Sequence, residues 1–128
     1  MARILAVDDD PQILKLIRFR LERAGHQVLA YSSARSALEA LALAPRTHNP
    51  DLAVLDVMMP EKSGLELCTE LRLRPGLENM PVIFLSARVQ PADIAAGQAI
   101  GATYLTKPFV AAALLKAIDL ATRSRRTP

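Results

Sequence analysis

Five short apolar runs alternate with helical patterns along all 128 residues, and this alternation constrains the fold more than any other feature. The runs at residues 3–7, 27–31, 52–55, 82–85 and 103–106 each have the length of a strand. Between them, apolar residues recur at helical spacing, as at Ile13, Leu14, Ile17 and Leu21. Strands that alternate with helices indicate repeated βα units, so the sequence predicts an α/β fold with one parallel sheet.

The third apolar run ends in an acid. Asp56 directly follows this unbroken segment, and Pro60 then prevents regular strand pairing from continuing. A carboxylate is therefore predicted where a buried strand reaches the surface, which is where open α/β sheets bind ligands. Taken alone, Asp56 could equally serve as a helix cap or a turn residue.

Three other strand ends carry reactive or charged side chains: Asp8 and Asp9 after the first, Ser86 after the fourth and Lys107 after the fifth. In a parallel sheet with helical crossovers, these ends share one edge with Asp56. Crowded carboxylates raise one another's pKa unless a cation joins them, and an all-oxygen ligand set favours Mg²⁺ over zinc. Each residue also has an ordinary explanation as a cap, a turn residue or a solvated charge, so the prediction depends on the whole set.

Such an edge suits phosphoryl transfer, which needs positioning and charge neutralisation more than covalent chemistry from the protein. A carboxylate can act as the nucleophile and form an acyl phosphate. A divalent ion and the Lys107 ammonium would neutralise different faces of the phosphoryl group. The Ser86 hydroxyl would donate a hydrogen bond to a third oxygen.

Composition limits the remaining classes. With 51% apolar residues the chain can form one core, and its longest apolar stretches are too short to cross a membrane. The start of the chain lacks a signal-peptide layout and the single cysteine, Cys68, fits a reducing compartment, so a cytoplasmic location is expected. His26 and His48 have no other histidine or cysteine near them in sequence, which argues against zinc.

The formal charge is +3, and part of the excess lies in Arg123, Arg125 and Arg126. We interpret this cluster as the solvated end of the last helix, predicted over residues 110–122, rather than as a nucleic-acid or membrane patch.

The segments ILAVDDDP, DLAVLDVMMP, VIFLSA and YLTKPF, in this order, resemble the receiver domain of two-component response regulators over essentially the whole chain. The resemblance implies a doubly wound, flavodoxin-like α/β fold with five helices and a five-stranded parallel sheet in the order 2-1-3-4-5. It places the receiver domain at residues 1–122, followed at 123–128 by a basic tail or the start of a linker.

The resemblance also implies roles for the acids. Asp56 would be the phosphoacceptor, and Asp8 and Asp9 would be the acidic pair that organises Mg²⁺. The direct metal ligands would be Asp9, Asp56 and the backbone carbonyl of Met58.

Ser86 and Lys107 match the hydroxyl and the lysine that contact phosphate in the family, and Pro108 matches a proline whose preceding bond is often cis. Tyr104 falls at the switch aromatic, so Ser86 would move toward the phosphate and Tyr104 would fill the vacated space. The alternative is that Tyr104 is a static strand aromatic.

The sequence departs from the family pattern in two places. Pro60 is followed by EKSG where many regulators have Gly-Asp or Gly-Asn, and Gly64 is expected to keep the flexible backbone position. Ala102 and Thr103 stand where acids are common, which argues against the family's ion-paired association through helix 4, strand 5 and helix 5. The small residues of helix 4 (Ala95, Ala96 and Ala99) either present a flat surface to another partner or, more simply, pack closely.

The leading hypothesis is a phosphorylation-controlled switch that assists its own phosphorylation and dephosphorylation, rather than a turnover enzyme. Its partners would be a histidine kinase or phosphotransfer protein, an effector domain or target protein, and a second copy if it forms a homodimer. Neither nucleic-acid nor membrane contact is expected of this domain. One alternative is a haloacid-dehalogenase-type phosphatase, because Asp8 and Asp10 have its two-residue spacing, although its later motifs are missing. Another is a receiver-fold interaction module that works without phosphorylation.

Overall fold

The computed structural model describes residues 1–87 and 89–126, with the backbone alone for 124–126. Its strands are β1 Arg3–Val7, β2 Gln27–Tyr31, β3 Leu52–Asp56, β4 Val82–Ser86 and β5 Ala102–Thr106. Its helices are α1 Pro11–Arg23, α2 Ala34–Leu43, α3 Gly64–Leu71, α4 Pro91–Ala99 and α5 Ala111–Arg126, with a 3₁₀ turn at Arg46–His48.

All five strands are parallel and lie in the order β2-β1-β3-β4-β5, which confirms the predicted doubly wound topology. The register pairs Asp56 with Leu85. One strand further out, it pairs Ser86 with Thr106. The residues at the ends of β1, β3, β4 and β5 therefore lie along one edge of the sheet, the carboxyl edge.

An apolar layer covers each face of the sheet. On one face α1 and α5 pack through Ile17, Leu21, Leu114 and Ile118. On the other face α2 and α3 pack around Phe84. The central strands β1, β3 and β4 contribute side chains to both layers, which explains why their sequences are unbroken apolar runs. Among the described helices, none has the length and hydrophobicity that a membrane-spanning segment requires.

Local sequence signals start the helices. Asp10 caps α1 by accepting hydrogen bonds from two N–H groups of the first turn, and Pro11 occupies the first helical position, as predicted. Ser33 caps α2 by accepting one hydrogen bond from the backbone N–H of Ser36. Ser63 and Glu66 form a reciprocal capping box at the start of α3.

Two predicted helix ends are wrong. After Pro60 the sequence predicts a helix that contains Leu65, Leu67, Leu71 and Leu73. The structure ends α3 at Leu71, and Leu73 is 78% exposed. The last helix is predicted to end at Thr122, but α5 continues to Arg126 because the sequence has no glycine or proline there to end it. Residues 127 and 128 of the predicted tail lie outside the described residues.

Two arginines that follow α3 bind the C-terminal ends of neighbouring helices. Arg72 donates to the backbone carbonyl of Ile100, just after α4. Arg74 donates to the carbonyls of Leu41 and Ala44 at the end of α2. Helix C-termini leave carbonyl groups without intrahelical partners, and these guanidinium groups supply the missing donors. The C-terminal ends of α2 and α4 are therefore anchored near the amino ends of the strands, at the edge of the sheet opposite the carboxyl edge.

Helix α4 has the smallest share of buried residues among the described α-helices. Of its nine described residues, only Gly97 is buried. Ala95, Ala96 and Ala99 are exposed, so the interpretation that these alanines pack closely is wrong. Because α4 has apolar residues on every side, its periodicity does not indicate which face packs on the sheet.

Candidate functional site

The carboxyl edge of the sheet brings a lysine into contact with two buried aspartates. Nζ of Lys107 lies 2.9 Å from Oδ2 of Asp8 and 3.2 Å from Oδ1 of Asp56. The Asp8 side chain is fully buried and that of Asp56 nearly so, whereas the Lys107 side chain remains 18% exposed. Residues from the ends of β1, β3 and β5 thus meet in space, as the parallel topology predicts.

Asp9 completes a group of three carboxylates. Oxygen atoms of Asp8, Asp9 and Asp56 lie within 4.8 Å of one another. Among the described residues, no donor makes a well-directed hydrogen bond to Oδ2 of Asp8, although Lys107 neutralises it as an ion pair. A buried carboxylate oxygen in this state costs free energy that a bound cation would offset. Because Asp9 is exposed and leaves room for water, this all-oxygen group fits Mg²⁺.

The environment of Asp56 weakens its acidity. Burial raises the pKa of Asp56 from 3.8 to about 6, and a hydrogen bond with Asp9 and the charge of Asp8 act in the same direction. The Lys107 ammonium opposes these effects without cancelling them. With this pKa, Asp56 is still mainly a carboxylate at neutral pH, which is the form that a nucleophile requires.

Lys107 is held as a cation and fixed in position. Burial acts to lower the pKa of Lys107, but the adjacent Asp8 and Asp56 carboxylates outweigh burial and raise the pKa above its ordinary value. The backbone N–H of Lys107 donates to the carbonyl of Ser86 at 2.7 Å, and the Lys107–Pro108 peptide bond is cis. The ammonium is therefore placed by a backbone segment that is bound to β4.

The loop after Asp56 folds back closely on β3, and Gly64 permits this. The N–H of Gly64 donates to the carbonyl of Val57 at 3.0 Å, and a Cβ atom on Gly64 would overlap the Asp56 carbonyl oxygen. Gly64 is therefore needed for close approach, and the expectation that it supplies a flexible backbone position is wrong, because it is the first residue of α3. The left-handed residue of this loop is Glu61, with φ of 69°.

Ser86 and Tyr104 line the same cavity, about 500 Å³ in volume, next to the carboxylates. Ser86 is buried at the end of β4, and Tyr104 is half-buried in β5. Met58 lies at the same cavity, and its side chain is 75% exposed. The metal-binding role of the Met58 carbonyl and the switching roles of Ser86 and Tyr104 stay predictions.

The Tyr104 ring is enclosed by β4 and α4. Its centroid lies 5.1 Å from that of Phe84, and its ring carbons face the backbone of Gly97. Burial raises the pKa of the Tyr104 phenol, and the charge of Asp93 raises it further. The contact with Gly97 was not predicted, and the sequence signal that could indicate it is an isolated glycine inside a helix.

Comparison with known proteins decides the family. Residues 4–119 match the family model described as the response regulator receiver domain. The chain belongs to this family. It is therefore a receiver domain of the kind found in two-component response regulators, and the predicted family and fold are confirmed.

Individual relatives agree with this assignment. The receiver domain is 39% identical over 108 residues to the alkaline phosphatase synthesis transcriptional regulatory protein PhoP of Bacillus subtilis, covering 84% of this chain and 42% of PhoP. It is 40% identical over 116 residues to the transcriptional regulatory protein GltR of Pseudomonas aeruginosa, covering 90% of this chain and 46% of GltR. A solved response regulator receiver domain protein from Clostridium thermocellum has a TM-score of 0.84 at 31% identity, with 98% of each chain covered. The chain thus spans less than half the length of these curated relatives.

Proposed function

We propose that Asp56 accepts a phosphoryl group from a histidine kinase or a phosphotransfer protein, and that this modification switches the receiver domain between two conformations. The observation that supports this most directly is the convergence of Asp8, Asp56 and Lys107, with the ammonium 2.9 and 3.2 Å from the two carboxylates. A nucleophilic carboxylate, an acidic cation site and a fixed ammonium are the elements that phosphoryl transfer requires.

In the proposed reaction, an Oδ atom of Asp56 attacks the phosphorus of a phosphohistidine donor. The P–O bond forms as the P–N bond breaks, the bonding pair returns to the imidazole nitrogen, and this nitrogen takes a proton from solvent. Lys107 offsets the negative charge of the transferred group, and the Ser86 hydroxyl donates a hydrogen bond to one of its oxygens.

Asp8, Asp9, Asp56 and the backbone carbonyl of Met58 are the groups that we expect to hold Mg²⁺. When bound there, the ion supplies charge neutralisation for the phosphoryl oxygens. The chain's own contribution is to hold the Asp8 and Asp56 carboxylates close together beside the Lys107 ammonium, which forms an ion pair with each of them.

For the conformational step, we propose that Ser86 turns toward the phosphoryl group and that Tyr104 moves into the space beside it. The shared cavity supports this step because it gives the Tyr104 ring a second place to pack. A local change of charge would then bias a packing element that has two arrangements.

The direct test is incubation with a small phosphodonor, such as phosphoramidate, in the presence of Mg²⁺. Intact-protein mass spectrometry should show the addition of one phosphoryl group, and both Asp56→Asn and the removal of Mg²⁺ with a chelator should abolish it. The matched control is Asp51→Asn, which changes an exposed carboxylate just before β3. Addition that persists in Asp56→Asn would contradict the assignment of the phosphoacceptor.

Asp10→Asn separates this function from the phosphatase alternative. The Asp10 carboxylate is engaged as the cap of α1, and asparagine caps helices equally well. We expect Asp10→Asn to accept the phosphoryl group as the wild type does. Turnover of a phosphate ester that Asp10→Asn abolishes would favour the phosphatase instead.

The interaction-module alternative is tested by partner affinity. Allosteric couplings are typically about fivefold or more, so the affinity for the cognate kinase or target should change by at least about this factor when Asp56 carries a phosphoryl mimic. A change of less than about threefold would favour a passive module, since it falls below the usual range of coupling.

A further inference from the structure

We propose that Gly97 is a positioning residue for Tyr104. Before phosphorylation the ring packs against the bare backbone of α4 at Gly97, and this contact sets how readily the ring moves toward Ser86. This inference rests on the proposed Ser86 and Tyr104 switch and extends it to a residue outside the carboxylate site.

The first observation is the fit between Gly97 and the ring. A Cβ atom built on Gly97 would lie 2.7 Å from Cε2 and 2.9 Å from Cδ2 of Tyr104, which is closer than such atoms can approach. The same atom would lie 3.1 Å from the backbone carbonyl oxygen of Ala102. The φ of Gly97 is not in the left-handed region, so lack of space, rather than backbone conformation, explains the glycine.

The second observation concerns burial along α4. Gly97 is the only buried residue among the nine of this described helix, and its backbone faces Tyr104 and the carbonyl of Ala102, both in β5. Glycine in a helix interior is disfavoured relative to alanine. Its presence at the one closely packed position indicates that contact with the ring outweighs helix propensity there.

The third observation concerns the groups around the ring and around the end of α4. The C-terminal end of α4 is held by the hydrogen bond from Arg72 to the carbonyl of Ile100. The ring also packs against Phe84, at 5.1 Å between centroids. The cavity that Tyr104 shares with Ser86 provides open space beside the ring. A methyl group on residue 97 would therefore displace the Tyr104 ring from its contact with the α4 backbone, toward this cavity or toward solvent.

The consequence for switching follows from linkage. If the phosphoryl group favours the arrangement in which the Tyr104 ring has left Gly97, then any change that destabilises the packing of the ring on Gly97 raises the affinity for a phosphoryl mimic. Gly97→Ala should therefore bind beryllofluoride, in the presence of Mg²⁺, about fivefold or more tightly than the wild type, which is the usual size of such couplings.

The experiment uses a Tyr31→Phe background, in which Tyr104 is the only fluorescent tyrosine because the chain has two tyrosines and no tryptophan. Quenching by acrylamide reports the exposure of the ring, and titration with beryllofluoride in excess Mg²⁺ reports the affinity. Gln98→Ala is the matched control, because it changes an exposed neighbour on the same helix. Gly97→Ala should change the quenching and tighten beryllofluoride binding, whereas Gln98→Ala should change neither.

A double-mutant comparison identifies the clash. In a Tyr104→Ala background the overlap with the ring is gone and only the 3.1 Å approach to the Ala102 carbonyl oxygen remains, so the better helix propensity of alanine should give Gly97→Ala a higher midpoint of thermal unfolding. In the Tyr104 background it should raise the midpoint less, or lower it. This comparison remains informative if Gly97→Ala alone folds poorly.

Three results would overturn the inference: unchanged quenching in Gly97→Ala, a displaced ring with unchanged beryllofluoride affinity, or the same thermal shift in both backgrounds. Failure of the proposed function itself has a different signature, because the wild type would then bind no beryllofluoride at all.

Discussion

Replacing Asp56 with asparagine should stabilise the metal-free protein at neutral pH. The pKa of Asp56 is raised from 3.8 to about 6, so ionising this carboxyl costs the folded state more than the unfolded state. A shift of about 2 units corresponds to about 3 kcal/mol at pH values above the folded pKa. The gain in Asp56→Asn will be at most this value, on the order of 1–3 kcal/mol, because Lys107 loses one of its two carboxylate partners.

The sign of the pH dependence is fixed by the direction of the shift. Below the ordinary pKa of 3.8, Asp56 is protonated in both states and contributes no penalty. The penalty develops as the pH rises through the interval from 3.8 to about 6 and is complete above it. The stability difference between Asp56→Asn and the wild type should therefore increase over this interval and then level off.

Urea unfolding in the presence of a chelator measures this difference. With a typical dependence on urea of about 2 kcal/mol per molar, the midpoint should rise by roughly 0.5–1.5 M at neutral pH. Asp51→Asn, which alters an exposed carboxylate just before β3, serves as the control. Added Mg²⁺ should reduce the difference in midpoint between Asp56→Asn and the wild type, because it stabilises the wild type alone. A variant no more stable than the wild type, or a difference independent of pH, would refute the reasoning.

Other substitutions test individual parts of the site. Lys107→Met leaves the buried Asp8 carboxylate without its ion-pair partner and should lower the free energy of unfolding by about 3 kcal/mol, an effect that calorimetry would detect and added Mg²⁺ would reduce. Gly64→Ala places a methyl group against the Asp56 carbonyl oxygen and should cost about 2 kcal/mol or more in chemical denaturation, with no loss expected if the loop can relax freely. Glu61→Gly removes the strain of a non-glycine residue in the left-handed region and should raise the free energy of unfolding by about 1 kcal/mol. A loss of stability would show that contacts of the Glu61 side chain contribute more free energy than this strain costs.

The parts of the molecule that follow from short-range rules were predictable from the sequence. Asp10 and Pro11 are adjacent signals for a helix start, and the structure places the start of α1 there. The meeting of Asp8, Asp56 and Lys107 also follows from a simple rule, because parallel strands with helical crossovers place all their carboxyl ends at one edge.

The missed features depend on contacts between distant segments or on the absence of a stop signal. The contact of Tyr104 with Gly97 depends on how α4 is rotated about its axis. The sequence of a helix with apolar residues on every side does not indicate this rotation. The overlap of Gly64 with Asp56 depends on the path of a loop rather than on composition. The end of α5 was predicted too early because good helix-forming residues continue to Arg126, and a charged surface end carries no periodic apolar signal.

The hydrogen bond from Arg72 to Ile100 holds only the C-terminal end of α4, so any tilt of the helix would pivot about that end. The helix has nine residues, and at 1.5 Å per residue it is about 14 Å long. With its C-terminal end held, a tilt of only about 10° would move the N-terminal end, at Pro91, by roughly 2 Å, given that length. A ring displacement too small to alter the fold would thus be magnified at the surface, where a binding protein could sense it.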